Sequence, residues 1–67
     1  MYTTEKLKKI RRKKGFTQKQ IAEKLNITVS FYSQIENMKK RLYYDTAIKI
    51  ADIFNMRPDQ LFYTQND

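Results

Sequence analysis

The stretch that decides the fold is Thr17-Gln18-Lys19-Gln20-Ile21-Ala22-Glu23-Lys24-Leu25-Asn26-Ile27-Thr28-Val29-Ser30-Phe31-Tyr32-Ser33-Gln34-Ile35-Glu36-Asn37. It opens with a capping box, in which the Thr17 hydroxyl takes one orphan N–H of the first helical turn and Gln20 reaches back for another. Ile21, Ala22 and Leu25 then share one helical face. Asn26 tolerates the left-handed backbone of an abrupt turn, Ile27 plugs the gap, and Thr28 is a second N-cap. The spacing predicts two short helices joined by a turn of about three residues, the helix-turn-helix arrangement.

On a wheel of about 100° per residue with Val29 at zero, Tyr32, Ile35 and Phe31 centre near about 250°. Ser30, Ser33, Gln34 and Asn37 gather near about 90°, with Val29 at their margin. The first group is the expected core side. The second is small, polar and uncharged, with no Lys or Glu in this helix before Glu36. A helix face that meets only solvent usually carries those charges. Short hydroxyl and amide side chains can instead approach base edges closely: Gln34 suits adenine N6 and N7, Ser30 donates or accepts, and Val29 suits a thymine methyl.

Working outward, a first helix is expected from about Thr4 to Lys14, with Leu7 and Ile10 as its inner stripe and Gly15 as a left-handed cap. A fourth runs from about Tyr44 to Phe54, where Tyr44, Ala47, Ile48, Ala51 and Phe54 recur at helical spacing, and Asn55 ends it. Pro58 fits the first position of a short fifth helix containing Leu61 and Phe62. Residues 64–67 are expected to fray. Apolar positions recur at three and four rather than alternating, so strands are not expected. The fold class is all-α, a compact five-helix unit forming one domain over residues 1–67. A single Gly and a single Pro leave no linker-like stretch.

The 67 residues include 14 Lys plus Arg against 7 Asp plus Glu, for a net +7, and no Cys or His. That excludes disulfides, the usual zinc sites and Cys or His catalysis. With no phosphate-cradling glycine loop or carboxylate cluster either, no enzyme, metal or cofactor is expected. No run approaches the roughly 20 apolar residues of a membrane span, and Met1 to Ile10 carries charges where a signal peptide needs an apolar core. A cytoplasmic protein that binds neither membrane nor metal is expected. The charge is uneven: residues 1–41 hold twelve of the basic residues and three acids, residues 42–67 two and four. Excess charge is shared by solvated lysine-rich surfaces, membrane-surface binders and nucleic-acid binders, so motifs must decide.

Leu7-x-x-Ile10-Arg11, Lys14-Gly15-Phe16-Thr17-Gln18-x-x-Ile21-Ala22-x-x-Leu25-Asn26-Ile27-Thr28, Ile35-Glu36-Asn37, Ile48-Lys49-Ile50-Ala51 and Asp59-x-Leu61-Phe62 together resemble the Cro/C1-type helix-turn-helix family, also called the XRE family. The resemblance covers roughly residues 5–62. It implies a DNA-binding domain of the lambda-repressor-like type, usually dimeric, that acts on transcription. By position it implies base contacts from Val29, Ser30 and Gln34, with Ser33 and Asn37 near the backbone or base edges. It puts Gln18 on a phosphate and Lys39, Lys40 and Arg41 beside a phosphate strand. It pairs Arg11 with Glu36 in a partly buried salt bridge. Lys8, Lys9, Arg12 and Lys13 read as a solvated face.

Some residues depart from the family pattern. Met38 stands where Gly commonly follows Glu-Asn, so the cap of the third helix falls on Asn37 or takes another form. Asn26 and Asn55 replace Gly at two other turns, and Tyr43 replaces a Ser-like cap, with its hydroxyl either on a phosphate or used in packing. Phe31 stands where a small polar residue is frequent, at the core edge or on the DNA backbone.

The expected partner is double-stranded DNA, bound by a homodimer at a palindromic operator with half-sites about 34 Å apart, and the expected outcome is repression. One module buries too little surface for the usual specific affinity, and two-fold symmetry doubles the contacts. Ile53, Leu61, Phe62 and Tyr63, in the less basic half, are candidates for the dimer surface, although each could equally finish the monomer core. The competing reading is an antitoxin or antagonist whose main role is binding a partner protein.

Overall fold

A computed structural model describes residues 2–64. Five helices follow one another: α1 (Leu7–Lys13), α2 (Gln18–Leu25), α3 (Val29–Glu36), α4 (Tyr44–Ile53) and α5 (Pro58–Phe62). α2 opens with the reciprocal cap: Thr17 Oγ1 accepts from the Gln20 N–H at 3.1 Å, and Gln20 Oε1 accepts from the Thr17 N–H at 2.8 Å. The Thr28 hydroxyl caps α3 by accepting from the Phe31 N–H at 3.0 Å. α4 starts at Tyr43 with no side-chain cap, and Pro58 supplies the first turn of α5.

The first four helices all end in the same double hydrogen bond around one left-handed residue. At Gly15 (φ 85°) the Gly15 and Phe16 N–H groups reach the carbonyls of Arg12 and Arg11. Asn26 (φ 59°), Met38 (φ 59°) and Asn55 (φ 56°) repeat the pattern, closing α2, α3 and α4. This is the Schellman arrangement, which satisfies orphan carbonyls while reversing the chain. Asn26 and Asn55 therefore take the glycine role. Met38, and not Asn37, holds the left-handed position after α3; Asn37 is the helical cap before it, at φ −89°. A branchless side chain permits this conformation at a cost that glycine does not incur.

α1 begins one turn later than the sequence suggests. The Thr3 N–H donates to the Phe62 carbonyl at 2.9 Å, the Thr4 hydroxyl donates to the Ile35 carbonyl at 2.8 Å, and Tyr2 pairs with Tyr63 in an isolated antiparallel bridge. Partners on α3 and α5 thus hold Thr3 and Thr4 in a tertiary clasp, and Thr4 does not join α1. The same clasp engages Thr64, whose hydroxyl lies 3.2 Å from that of Thr3, so fraying does not begin there. Residues 65–67 of the expected frayed tail lie outside the described residues.

The core is built from Leu7, Ile21, Ala22, Tyr32, Ile35, Ala47, Ile50, Ala51, Phe54, Leu61 and Phe62. Phe16 tilts against Phe54 with ring centroids 5.7 Å apart. Leu61 and Phe62 are fully buried in the monomer, so they have no surface to offer a second copy and leave the candidate dimer interface. The inner stripe of α4 is also rotated from the expected one. Ile50 enters the core, while Ile48 and Tyr44 point outward, Tyr44 being 62% exposed.

Candidate nucleic-acid interface

α3 is presented by its caps and anchored by three buried side chains, Tyr32, Ile35 and Glu36. Glu36 is the unusual one. Its carboxylate is fully buried and faces Arg11, 7% exposed, with Nε to Oε2 at 2.5 Å and Nη2 to Oε1 at 3.3 Å. Arg11 Nη1 also donates to the Phe16 carbonyl at 2.9 Å, and Gln18 Nε2 donates to Glu36 Oε1 at 3.1 Å. This node ties α1, the loop before α2, the first residue of α2 and the last of α3 into one arrangement. The Glu36 hydrogen bond raises the pKa of Arg11 further. Burial, the largest single influence, would raise that of Glu36, but the interactions with Arg11, Tyr32 and Gln18 together outweigh it and hold it below the ordinary carboxylate value. The Tyr32 hydroxyl beside the pair is buried without a hydrogen bond of ordinary geometry; burial first, then Glu36, pushes its pKa well up.

The outer face of α3 carries Ser30, exposed, with Ser33 and Gln34 half-buried and Asn37 exposed at the end. Asn37 Nδ2 is 3.4 Å from Ser33 Oγ, so these two side chains form a pair one turn apart. Val29 and Phe31 flank the strip at 40% and 45% exposure. Phe31 is therefore not core, contrary to its place on the sequence wheel. The buried Glu36 accounts for this: centring the inner face on Tyr32, Ile35 and Glu36 moves it from about 250° to roughly 290°, which turns Phe31 outward. A polar letter hid a core position, and counting Glu36 as buried was the signal that would have exposed Phe31.

Beyond Met38 the basic loop leaves α3 at a fixed point, because the Gln34 carbonyl accepts from the Lys39 N–H at 2.8 Å and the Lys40 N–H at 3.3 Å. Lys39, Lys40 and Arg41 are exposed beside the end of α3. The Arg41 guanidinium sits 5.9 Å from the centroid of the exposed Tyr43 ring, a cation–π distance. Val29, Ser30, Gln34, Ser33, Asn37 and the 39–41 loop thus share α3 or its immediate exit. Gln18 stands apart on α2 and reaches α3 through Glu36.

Of the remaining candidates, Ile53 is half-buried against the core and Tyr63 is exposed. Tyr63 belongs to an aromatic cluster that the sequence reading missed: Tyr2 contacts both Tyr44 and Tyr63 edge-on, each at 6.2 Å. The Tyr2 hydroxyl donates to the Asp59 carboxylate, which pushes its pKa up to about 12. The cluster depends on the chain start folding back on α5, which no local pattern announces. Among the described residues, no group of side chains is disposed to hold a metal ion, and no helix is long and apolar enough to cross a membrane.

Residues 7–61 match the model of the helix-turn-helix family. The HTH-type transcriptional regulator ImmR of Bacillus subtilis (strain 168) is 39% identical over 57 residues, which are 85% of this chain and 45% of that protein. The crystal structure of a transcriptional regulator from Listeria innocua superposes with a TM-score of 0.80 at 25% identity, covering 96% of this chain and 61% of that one. The chain spans about half the length of the curated relative it matches.

Proposed function

Because the chain belongs to the helix-turn-helix family, in its Cro/C1 or XRE branch, we propose that it is a sequence-specific DNA-binding repressor acting in the cytoplasm, with α3 as the helix that enters the major groove. The observation that carries this reading is the uncharged outer face of α3, held outward by a buried ion pair and bordered by an exposed basic loop. Ser30 and Gln34 offer hydrogen-bonding groups of the kind that distinguish base pairs, and Val29 offers a methyl-sized apolar contact. Lys39, Lys40 and Arg41 supply sequence-independent attraction to phosphate, with the Tyr43 hydroxyl beside them. Gln18 spends one amide hydrogen on Glu36 and keeps the other for a phosphate. Ser33 and Asn37, paired with each other, border the strip on the backbone side.

The operator is a palindrome read by two copies, and occupying it excludes the transcription machinery from that DNA. With Leu61 and Phe62 in the core, the residues left for a second copy are Tyr63, clustered with Tyr2 and Tyr44, and the half-buried Ile53. Tyrosines are common in interface centres, and two-fold symmetry would set the tyrosine cluster of one copy against that of the other. Selection of duplexes from a random pool by the purified protein tests the reading. A two-fold symmetric consensus is expected, with two chains per duplex by sedimentation; a pool that stays random after repeated rounds would refute it.

A further inference from the structure

Phe31 lies outside both the core and the partly buried hydrophobic side chains packed against it. Leaving Phe31 45% exposed forgoes part of the transfer free energy that burial would supply. A lone exposed apolar residue on a protein surface needs no explanation. Here, however, Val29 and Phe31 both protrude from the first turn of α3, one on each side of Ser30, and the N-terminal residues of a groove-entering helix are those that meet base edges. The Phe31 backbone is already fixed by its N–H bond to Thr28 Oγ1. Only two side-chain torsions remain to be ordered, so placing the ring against a partner costs little entropy.

The apolar feature on the major-groove edge of a base pair is the C5-methyl group of thymine. We propose that Phe31 is a specificity-determining residue that packs its ring on a thymine C5-methyl, next to the base edges read by Ser30 and Gln34. The proposal rests on the DNA-reading role of α3. It gives the ring a sequence-dependent task, whereas contact with the sugar-phosphate backbone would be indifferent to sequence.

Replacing each thymine of the selected operator in turn by deoxyuridine removes only the methyl group. The wild type is expected to lose about 3- to 10-fold in affinity at one or two positions per half-site. Phe31→Ala should bind the unmodified operator more weakly by a similar factor and no longer respond at those positions, while any position read by Val29 keeps its response. Phe31→Leu should retain part of the effect, and all three proteins should bind random duplexes equally and melt alike. A second arm methylates each cytosine at C5. Tightening confined to 5-methylcytosine, with no loss at any uracil, would overturn thymine as the source of the methyl. Silence at every uracil, or a Phe31→Ala protein that responds wherever the wild type does, would overturn the proposal, as would equal weakening on operator and random DNA. If no sequence is enriched at all, the DNA-reading role falls, and this proposal with it; an enriched operator with silent uracils removes the Phe31 proposal alone.

Discussion

On its inner face α3 carries a carboxylate, Glu36, sealed under Arg11 at 2.5 Å, while on its outer face Val29, Ser30, Phe31 and Gln34 carry no formal charge. The difference follows from what each face can be promised. The inner face has a partner fixed by the fold, so a buried charge is compensated by hydrogen bonds from Arg11 and Gln18 at all times. The outer face meets its partner only on binding, and a charge there would have to be desolvated without a guaranteed counter-ion. Neutral donors and acceptors carry the smaller penalty. On this reading α3 separates two tasks by face, orientation within and selection without.

The largest effect should come from unbalancing the inner face. Arg11→Met leaves a buried carboxylate with only Gln18 and the Tyr32 hydroxyl beside it and should lower stability by about 3–5 kcal/mol, measured by urea unfolding. Adding Glu36→Leu should recover most of that loss, since an apolar pair of similar volume removes both charges. A single-variant loss no larger than the double-variant loss would break the claim that the pair acts as a unit. The pH dependence sharpens it. The pKa of Glu36 is lower in the folded state than the ordinary 4.5, so the unfolded chain takes up the proton first as pH falls. The contribution is therefore fully present above about pH 4.5 and is lost as pH falls through the lower folded value. The stability gap between the wild type and Glu36→Gln should narrow over that window; a gap constant down to pH 3 would place Glu36 outside the linkage.

On the outer face, Gln34→Ala should weaken operator binding by about 1–3 kcal/mol while sparing random DNA, as measured by titration at fixed salt. Stability should hardly change, because the Gln34 backbone, not its amide, organises the following loop. Equal losses on both duplexes would show that the face does not select.

Much of this division is legible in the sequence, and the failures share a cause. Thr17, Gln20 and Thr28 announce α2 and α3 because capping is local chemistry between residues three apart. The family pattern pairs Arg11 with Glu36, but a hydropathy wheel leaves Glu36 out of the inner face, which tilts that face toward Phe31. α1 starts later than local pattern predicts because Thr3 and Thr4 answer to Phe62 and Ile35, long-range partners that override local preference. Tyr2, Tyr44 and Tyr63 meet only once that clasp has formed. Local signals set the elements; contacts between distant residues decide which apolar side chains remain outside.

The turn after α3 gives a smaller effect. Met38 adopts φ 59° while exposed, so Met38→Gly relieves backbone strain without losing core packing. After allowing for the greater freedom of glycine in the unfolded chain, a gain of roughly 0.5–1 kcal/mol is expected by thermal melting. Asn26→Gly and Asn55→Gly, at turns of the same geometry, should gain less, because asparagine tolerates the left-handed region. Equal gains at all three positions would remove any special strain at Met38.

The smallest effect, and the one that separates attraction from both faces of α3, belongs to Lys40. Its side chain is exposed, but its backbone N–H is tied to the Gln34 carbonyl at 3.3 Å, so the loop leaves α3 in a set direction while the ammonium stays free to follow a phosphate. An ammonium on a flexible stem neutralises charge without reading bases, and its contribution comes from released counter-ions. Lys40→Ala should accordingly weaken operator and random duplex alike, with the slope of log affinity against log salt falling in magnitude by about one unit. Gln34→Ala should leave that slope untouched. If instead Lys40→Ala weakens only the operator, selection would extend beyond the neutral face of α3, and the separation of reading from attraction would fail at the point where the loop begins.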